Sequence, residues 1–556
     1  MRLRRRAADW CIQGLALGLL VSGLSAQTSE TRSKAGVPED WTHHRVRFST
    51  RLLRRHPERV AREPRAAMQL YRAASAEMRR TGSSSLPIST RASFNLSIMQ
   101  RDWAASLGSG HVEFGQFPAK WQMDPEALPS CMGDYLIFAL NVPGVTGGQP
   151  SIVALNNLYV GGTDPLCPGL RPNFLFSYNT TTVPNGKILT SPILSVDGKK
   201  VAFIETVTTL ASKKSILHVL RVPTAGTQAT AIPSKLPPVG AMSSLVLAAA
   251  TNLRSSPWID YSTDTIYVGL DNGKVYKVTG VFKGTPALAG SPWPITINLN
   301  SILSSPIFDS FTGKLFVGAA NGTLYSVLVS SPAAMTAIRI GRADSANPGI
   351  YDAPMFDATG GSIFAITSND DVSNGASVVQ VNADTLSITT RVSIGQGTTK
   401  EHLVNLYDGD FDENYFNDPS TGHMMVCGTG TADSTPHRYV LGFDGDGVLQ
   451  PGSSIQISSS PDARCSPITE FFNPNVGTGT EFFFWGVTRG CPGFGNSGCV
   501  MALADGATLT SMQSAGGASG IVIDNIYTTK TGGSSIYFST LGTPGAAVQL
   551  TQNGLQ

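Results

Sequence analysis

Residues 255–278 read SSPWIDYSTDTIYVGLDNGKVYKV, and residues 304–327 repeat the pattern as SSPIFDSFTGKLFVGAANGTLYSV. Pro257 and Pro306 open these copies 49 residues apart, and DAPMFDATGGSIFAI adds Pro354 after another 48 residues. Each copy holds short runs rich in β-branched and aromatic residues, separated by Gly-containing turns that supply positive φ angles. A repeat of about 40–50 residues made of short strands is typical of a β-propeller blade.

The blade pattern extends to both sides of these copies. Strand-like runs bounded by turn residues indicate further blades, which start near Asp134, Ser191, Leu406, Ser466 and Gly520. An insertion over about residues 223–250 follows the second blade. We therefore predict an all-β fold, an eight-bladed β-propeller over residues 112–556, with seven blades as the alternative.

A propeller must join its last blade to its first, because an open ring leaves an unpaired edge strand. The last blade shows three strands, at 520–524, 535–538 and 547–550, and no fourth strand follows them. Residues 112–121, VEFGQFPAKW, alternate in polarity and have no obvious partner nearby. We predict that this segment is the missing outer strand of the C-terminal blade.

The chain begins with the features of a secretory signal peptide over residues 1–26. Arg2 and its neighbouring arginines precede an apolar run at 14–21, and Ser25-Ala26 offers a small-residue cleavage site. No apolar stretch reaches the roughly 20 residues that a transmembrane helix requires. We expect an exported protein that is secreted, periplasmic or on the cell surface, without a transmembrane segment.

Beyond this signal peptide, six cysteines remain. An even number of cysteines in an exported chain favours disulfides, although six cysteines allow 15 pairings. Proximity favours three pairs: Cys131–Cys167, Cys427–Cys465 and Cys491–Cys499. The Gly-rich stretch between the last two cysteines is better explained as a disulfide-closed turn than as a phosphate loop, because no lysine follows it.

Residues 27–111 form a basic, partly helical arm and linker before the predicted blades. Residues 1–101 carry 19 basic and 7 acidic side chains, and the remainder carries a net charge of −10. One interpretation is an arm that binds polyanions or anionic lipid. We favour a solvated arm that lies partly on the acidic propeller, and we expect the ring to fold without residues 27–90.

Three features of the blades resemble the quinoprotein alcohol-dehydrogenase-like propeller superfamily, which holds both pyrroloquinoline quinone enzymes and non-enzymatic scaffolds. They are the Ser-Pro start with its following Asp, the strand ending in Tyr-Val-Gly, and the strand after the Asn-Gly turn. The chain is also similar to uncharacterised exported bacterial propeller proteins, through Asp102-Trp103 and Leu107-Gly108-Ser109-Gly110. The adjacent cysteines and repeated tryptophans of the quinone enzymes are missing, so the resemblance implies the fold and argues against a dehydrogenase.

Two clusters of polar residues are candidate sites. Asp408, Asp410 and Asp412 alternate along one run, and alternating carboxylates suit a calcium ion, although the calcium-loop consensus fails here. Asp412 also aligns with Asp260, Asp309 and Asp357 of the other repeats, which indicates a turn aspartate. His402, His423 and His437 lie near the sixth blade, at spacings that match no zinc motif. We predict no cofactor, with calcium at the three aspartates as the alternative.

No catalytic motif is recognisable, so the catalytic residues are unknown. The first function hypothesis is an exported binding or scaffold module for a protein or polysaccharide ligand, monomeric and without nucleic-acid binding. The alternative is an enzyme with its site at the mouth of the central channel, such as a polysaccharide lyase, a hydrolase or a quinone-dependent oxidoreductase. Charged residues that converge in the channel would favour the enzyme, and a small apolar lining would exclude it.

Overall fold

A computed structural model places the described strands in eight sheets, each of which is one blade of an eight-bladed β-propeller. The residues that the structure describes are 37–55, 57–70, 99–122, 129–161, 165–209, 212–226, 228–342, 349–473, 479–504, 509–525 and 534–552. The predicted signal peptide lies outside them. The fold class and the number of blades are as the repeats predict.

Three strands precede the first blade in the chain, and they join blades 1, 5 and 8. They are β1 (Val37–Glu39), β2 (Val46–Arg47) and β3 (Met99–Gly108). The helical pieces between β1 and β3 are a 3-10 turn at Trp41–His44, α-helices at Thr50–Arg55 and Pro57–Arg62, and a helix over 64–70. A short helix at Glu413–Asn417 and a 3-10 turn at Pro419–Thr421 decorate blade 6.

Blades 1 to 4 follow one another along the chain as antiparallel sheets, with the inner strand first. Blade 1 holds β4 (Ala119–Gln122), β5 (Tyr135–Ala139), β6 (Ile152–Asn156) and β7 (Asn173–Tyr178). Blade 2 holds β8 (Lys187–Ile188), β9 (Ile193–Leu194), β10 (Lys200–Val207), β11 (Lys214–Arg221) and β12 (Met242–Ala248). Blade 3 holds β13 (Trp258–Asp260), β14 (Thr265–Gly269), β15 (Lys274–Thr279), β16 (Ala287–Leu288) and β17 (Ile295–Thr296), and blade 4 holds β18 (Ile307–Asp309), β19 (Lys314–Gly318), β20 (Thr323–Leu328) and β21 (Met335–Arg339).

Blades 5 to 8 complete the ring with the same antiparallel order. Blade 5 holds β22 (Met355–Asp357), β23 (Ser362–Thr367), β24 (Ser377–Asn382) and β25 (Ile388–Ser393), and blade 6 holds β26 (Asp410–Phe411), β27 (His423–Thr429), β28 (Pro436–Phe443) and β29 (Leu449–Gln456). Blade 7 holds β30 (Thr469–Asn473), β31 (Thr480–Val487), β32 (Cys499–Ala504) and β33 (Thr510–Gln513). Blade 8 holds β34 (Val522–Asn525), β35 (Ser534–Ser539) and β36 (Gly545–Gln552).

The Ser-Pro start and the Gly that ends the second strand are physically linked. The Ser255 Oγ accepts a hydrogen bond from the Gly269 N–H at 2.8 Å, and the Ser304 Oγ accepts one from the Gly318 N–H at 3.0 Å. A Cβ on Gly269 would lie 2.8 Å from Leu303 of the next blade, so a larger residue would clash there. In blades 3 and 4 the repeated serine and glycine therefore tie the start of the inner strand to the end of the second strand.

In blades 3, 4 and 6 an aspartate at the end of the inner strand stabilises the following turn. Asp260 accepts hydrogen bonds from the N–H and hydroxyl of Ser262, and Asp309 accepts them from Phe311 N–H and the Thr312 hydroxyl. Asp412 accepts from the Tyr415 N–H at 3.0 Å. Its role as the turn aspartate of blade 6 is thus confirmed.

An N-terminal strand completes the last blade, as the sequence predicts, but this strand is β3 and not residues 112–121. β3 pairs antiparallel with β36, from Met99 opposite Gln552 to Gly108 opposite Gly545, and so becomes the outer strand of blade 8. The prediction that residues 112–121 occupy this place is wrong. Residues 119–122 instead form β4, whose Ala119 pairs with Ile137 in the nearby β5.

The sequence boundary between arm and propeller, placed at residue 112, also differs from the structure. β3 belongs to the ring, and β1 and β2 extend the inner edges of blades 1 and 5. The expectation of a solvated arm is wrong for residues 41–48, where Trp41 is 2% exposed and Arg45 1%. Trp41, Val46, Phe48, Leu53 and Ala66 all belong to the largest buried apolar cluster of the protein.

The six cysteines form three disulfides, and these are the pairs that proximity favours: Cys131–Cys167, Cys427–Cys465 and Cys491–Cys499. Cys427 lies on β27 of blade 6, and Cys465 precedes the inner strand of blade 7, so this bond links two blades. Disulfides of this kind are typical of proteins from oxidising compartments. No helix within the described ranges has the length and apolar character needed to span a bilayer.

Candidate functional site: the occupied central channel

The N-terminal segment crosses the centre of the ring. β1 pairs with β4, the inner strand of blade 1, and β2 pairs in parallel with β22, the inner strand of blade 5. Blades 1 and 5 are opposite one another in a ring of eight, so residues 40–45 must span the channel between them. We call residues 37–49 the channel segment.

Trp41 and Arg65 fix this segment at the inner strand of blade 3. The Trp41 Nε1 donates to the Pro257 carbonyl at 3.1 Å, and its ring meets Trp258 edge-on at 5.8 Å. Arg65, from the helix over 64–70, donates to the Ile259 carbonyl at 2.9 Å and lies 4.2 Å over the Trp258 ring. The backbone of blade 3 thus accepts both donors. Arg59 donates to the Ala358 carbonyl just after β22, which places its helix at the opening where the inner strands end.

Arg45 forms the first of two buried ion-pair groups in the channel. Its guanidinium lies 2.7 Å from the Asp352 carboxylate and 2.9 Å from that of Asp408. Burial raises the pKa of Asp408 well above its usual range, and nearby Asp352 and Asp410 raise it further, although Arg45 opposes the shift. Arg45 therefore provides the positive charge that two crowded carboxylates require.

Arg47 forms the second group, two residues further along the segment. Its Nε donates to Asp410 at 3.1 Å, and its Nη2 lies 3.5 Å from Glu470. Burial alone would lower the pKa of Arg47, but Asp410 and Glu470 outweigh it and raise that pKa. The guanidinium is consequently a permanent cation in this environment.

Beside Arg47 the channel holds an excess of carboxyl groups. Burial raises the pKa of Glu481 to about 8 and that of Glu413 to about 7. Glu470, which is hydrogen-bonded to Glu481, has its pKa raised mainly by burial and next by the Glu481 charge. Burial and mutual repulsion thus favour the protonated forms of these glutamates, while the Arg47 charge favours the ionised forms of Glu470 and Glu413.

The opposite opening is filled by residues 112–118, which we call the capping loop. The Gln116 Oε1 accepts hydrogen bonds from Ser191 and Ser256, which stand where the inner strands of blades 2 and 3 begin. Phe114 meets the Tyr407 ring at 5.0 Å from blade 6. Phe117 stacks on His44 of the channel segment at 4.7 Å, so the two pieces touch inside the ring.

The junction of blades 1 and 8 is a third buried polar group. Lys120 on β4 lies 3.0 Å from Asp524 on β34, and the Tyr159 hydroxyl lies within hydrogen-bonding distance of two carboxyl groups, 2.6 Å from Asp134 and 3.0 Å from Asp524. Burial raises the pKa of Asp524 to about 6, and Lys120 opposes this shift. The first and last inner strands are thereby held together by charge next to the closing strand.

The structure separates the three predicted metal-ligand candidates. Asp408 pairs with Arg45, Asp410 pairs with Arg47, and Asp412 binds the Tyr415 N–H and the His423 ring. Across the described part of the chain, no three His, Cys, Asp or Glu side chains are grouped closely enough to share a metal ion. The calcium interpretation stays a prediction, and any ion there would compete with two arginines.

The three histidines of blade 6 also have separate partners. His402 lies 3.1 Å from Asp462, and His423 lies 2.9 Å from Asp412. His437 lies 4.0 Å from Asp433. Each histidine therefore faces its own aspartate, and this geometry offers no shared acid–base or zinc arrangement among them.

The residues that dominate the channel, Arg45 and Arg47, were not candidates in the sequence. The sequence did contain an indication of their role, because the N-terminal region and the blades have opposite net charges. Two modules that do not contact each other would not need such complementary charges. Local patterns hid it, because the partners Asp352, Asp408 and Glu470 lie more than 300 residues away. Charged residues do converge in the channel, but their partners come from the same chain.

The fold is similar to that of several solved propellers. BamB from Moraxella catarrhalis matches with a TM-score of 0.41 and 12% identity, covering 82% of this chain and 98% of its own. Sqt1 from Saccharomyces cerevisiae matches with a TM-score of 0.48 and 11% identity, covering 82% and 100%. The Dos1 propeller gives 0.46 and 11%, covering 82% and 95%. No protein-family model and no curated protein sequence matches the chain.

Proposed function

We propose that this chain is an exported β-propeller that acts as a binding or scaffold module, presenting the outer surfaces and loops of its blades to a protein or polysaccharide ligand. The single observation that supports it most is the filled channel. Arg45 and Arg47 enter between the inner strands, and Gln116 caps the other opening. A substrate that entered the channel would have to displace buried ion pairs, which is costly.

The proposal includes export and membership in the quinoprotein-like propeller superfamily. The signal-peptide pattern at residues 1–26 and the three disulfides support export. The Ser-Pro starts and the Gly-ended strands support the superfamily. The function requires no cofactor, and the module is proposed to work as a monomer.

A channel enzyme is the second candidate, and the raised pKa values of the channel glutamates favour it. A carboxylic acid with a raised pKa, such as Glu481 beside Glu470, is the kind of group that serves as a general acid. Glu481 is 4% exposed, however, so a substrate would reach it only after the channel segment had left. The enzyme hypothesis thus requires an opened form of the ring.

An experiment that follows a bound ligand over time distinguishes the binding module from the enzyme. The mature chain is screened on immobilised polysaccharides and displayed peptides, and each bound ligand is then incubated with the protein and analysed for products. The binding module predicts intact ligand and equal affinity for the parent and Glu481→Gln. Cleavage by the parent that Glu481→Gln abolishes, with binding unchanged, would contradict the binding module and establish the enzyme.

A further inference from the structure

A cleft of about 640 Å³ opens at the rim of the ring, between blade 7 and the closing strand of blade 8. Its polar side chains come from β3, from the loop after β31 and from β33. They belong to Arg101, Thr488, Arg489, Asn496, Ser497 and Gln513. We call this the rim cleft. It lies away from the channel and shares no residue with the channel segment or the capping loop.

The rim cleft carries two positive charges that no described carboxylate neutralises. Arg101 and Arg489 are both exposed, and neither guanidinium forms an ion pair with any described carboxylate. The described lining contains no Asp or Glu. This contrasts with Arg391 of blade 5, which is paired with both Asp370 and Asp371. The two guanidiniums are therefore available to an anion from outside.

The walls of the rim cleft are held in place before any ligand arrives. The Cys491–Cys499 disulfide closes the loop that carries Asn496 and Ser497. Gln513 donates to the Ser497 hydroxyl at 3.0 Å, which ties this loop to β33. The donors of this loop and of β33 therefore lose little conformational entropy on binding, whereas the exposed Arg101 and Arg489 side chains become ordered with the ligand.

We propose that the rim cleft binds an acidic saccharide, a chain of sugar units that carries carboxylate or sulfate groups. Two guanidiniums suit such oxyanions, since a planar fork of N–H donors matches carboxylate and sulfate geometry. The amide and hydroxyl groups beside them suit sugar hydroxyls. Ala515 is the largest apolar side chain among the described lining residues, so these residues form no pocket for the apolar anchor of a peptide.

This inference rests on the proposed binding function and names its ligand class. The test uses the full mature chain and two probes, a sulfated heparin hexasaccharide and a carboxylated oligogalacturonate, with affinities measured by calorimetry at two salt concentrations. Arg101→Gln with Arg489→Gln should weaken the better probe at least about tenfold, each substitution removing a charge-assisted contact. The salt dependence of binding should also decrease in this double variant.

The matched control is Arg171→Gln with Arg221→Gln, which removes two exposed positive charges elsewhere on the ring. This control should bind the saccharide with the parent's affinity. An equal loss in both double variants would show attraction to net charge and overturn the rim site, as would the absence of binding by either probe. A phosphopeptide that bound the cleft better than both saccharides would overturn the ligand class.

The outcomes also separate this inference from the proposed function. If neither saccharide binds while another ligand is held intact by the protein, the rim site fails and the binding module stands. If the saccharide binds through Arg101 and Arg489 and is then cleaved, the site stands and the binding module fails.

Discussion

The channel and the rim cleft use arginine in opposite ways. In the channel, Arg45 is buried, Arg47 is only 13% exposed, and each is paired with two acids. At the rim, Arg101 and Arg489 are exposed and have no described ion-pair partner. A buried charge must be paired within the fold, so the channel arginines hold the structure together. An exposed, unpaired charge contributes little to stability and remains available for binding.

The largest expected effect comes from removing the channel segment together with its helices. A chain that lacks residues 37–70 loses Trp41, Phe48 and Leu53 from the main core and leaves Asp408 and Asp410 without cations. We expect its free energy of unfolding to fall by at least about 5 kcal/mol, more than for any single core substitution. Denaturant unfolding of the two chains measures the difference. A truncated chain that unfolds like the parent would mean that the segment is only an accessory.

A smaller loss is expected from Trp103→Ala on the closing strand. The Trp103 ring packs 6.1 Å from Tyr537, and its Nε1 donates to the Leu158 carbonyl of blade 1 at 2.9 Å. Its removal should cost about 3–5 kcal/mol, as for other buried aromatic residues. Because Trp103 connects blades 8 and 1, proteolysis should begin near the ends of the ring in this variant. Arg101→Gln, on the exposed side of the same strand, should leave the melting temperature unchanged.

The excess acids of the channel predict how stability changes with pH. The pKa of Glu481 is about 8 in the folded protein against an ordinary value of 4.5, so the folded state holds a proton that the unfolded state releases. Its contribution to stability is full below about pH 4.5 and is lost as the pH rises through 8. The denaturant concentration at the unfolding midpoint should therefore decrease as the pH is raised from 6 to 9. This decrease should be smaller in Glu481→Gln. A variant with the parent's pH profile would show that Glu481 is ionised in the fold.

The repeated blades could be predicted from the sequence because their interactions are local. The hydrogen bonds from Gly269 to Ser255 and from Ser262 to Asp260 both lie within the first hairpin of blade 3. Such short-range contacts need the same residues at the same spacing in each copy of the repeat. The alternating pattern of the true closing strand was also present, since Trp103, Ala105 and Leu107 are its buried positions. Residues 112–121 show a similar alternation, and period alone does not identify the partner of a strand.

The channel could not be predicted in the same way, because its interactions join distant residues. The pattern around Asp408 and Asp410 is the same whether the partner is a calcium ion or an arginine. Only the fold brings Arg45 and Arg47 to these carboxylates, across about 360 residues of chain. The rim cleft depends on the ring as well, since Arg101 and Arg489 meet only after β3 has closed blade 8.

The most direct test of the account is a double-mutant cycle on the channel pair Arg47 and Asp410, measured by denaturant unfolding with Arg47→Gln, Asp410→Asn and both together. Removing one partner alone leaves a buried charge, which costs about 3–5 kcal/mol, and removing both should recover much of that loss. The exposed pair Lys314 and Asp384, at 3.0 Å, is the matched control, and its coupling should be at most about 1 kcal/mol. Strong coupling in the channel pair with little in the control is the predicted result. Equal, weak coupling in both pairs would contradict the claim that the N-terminal arginines hold the channel closed.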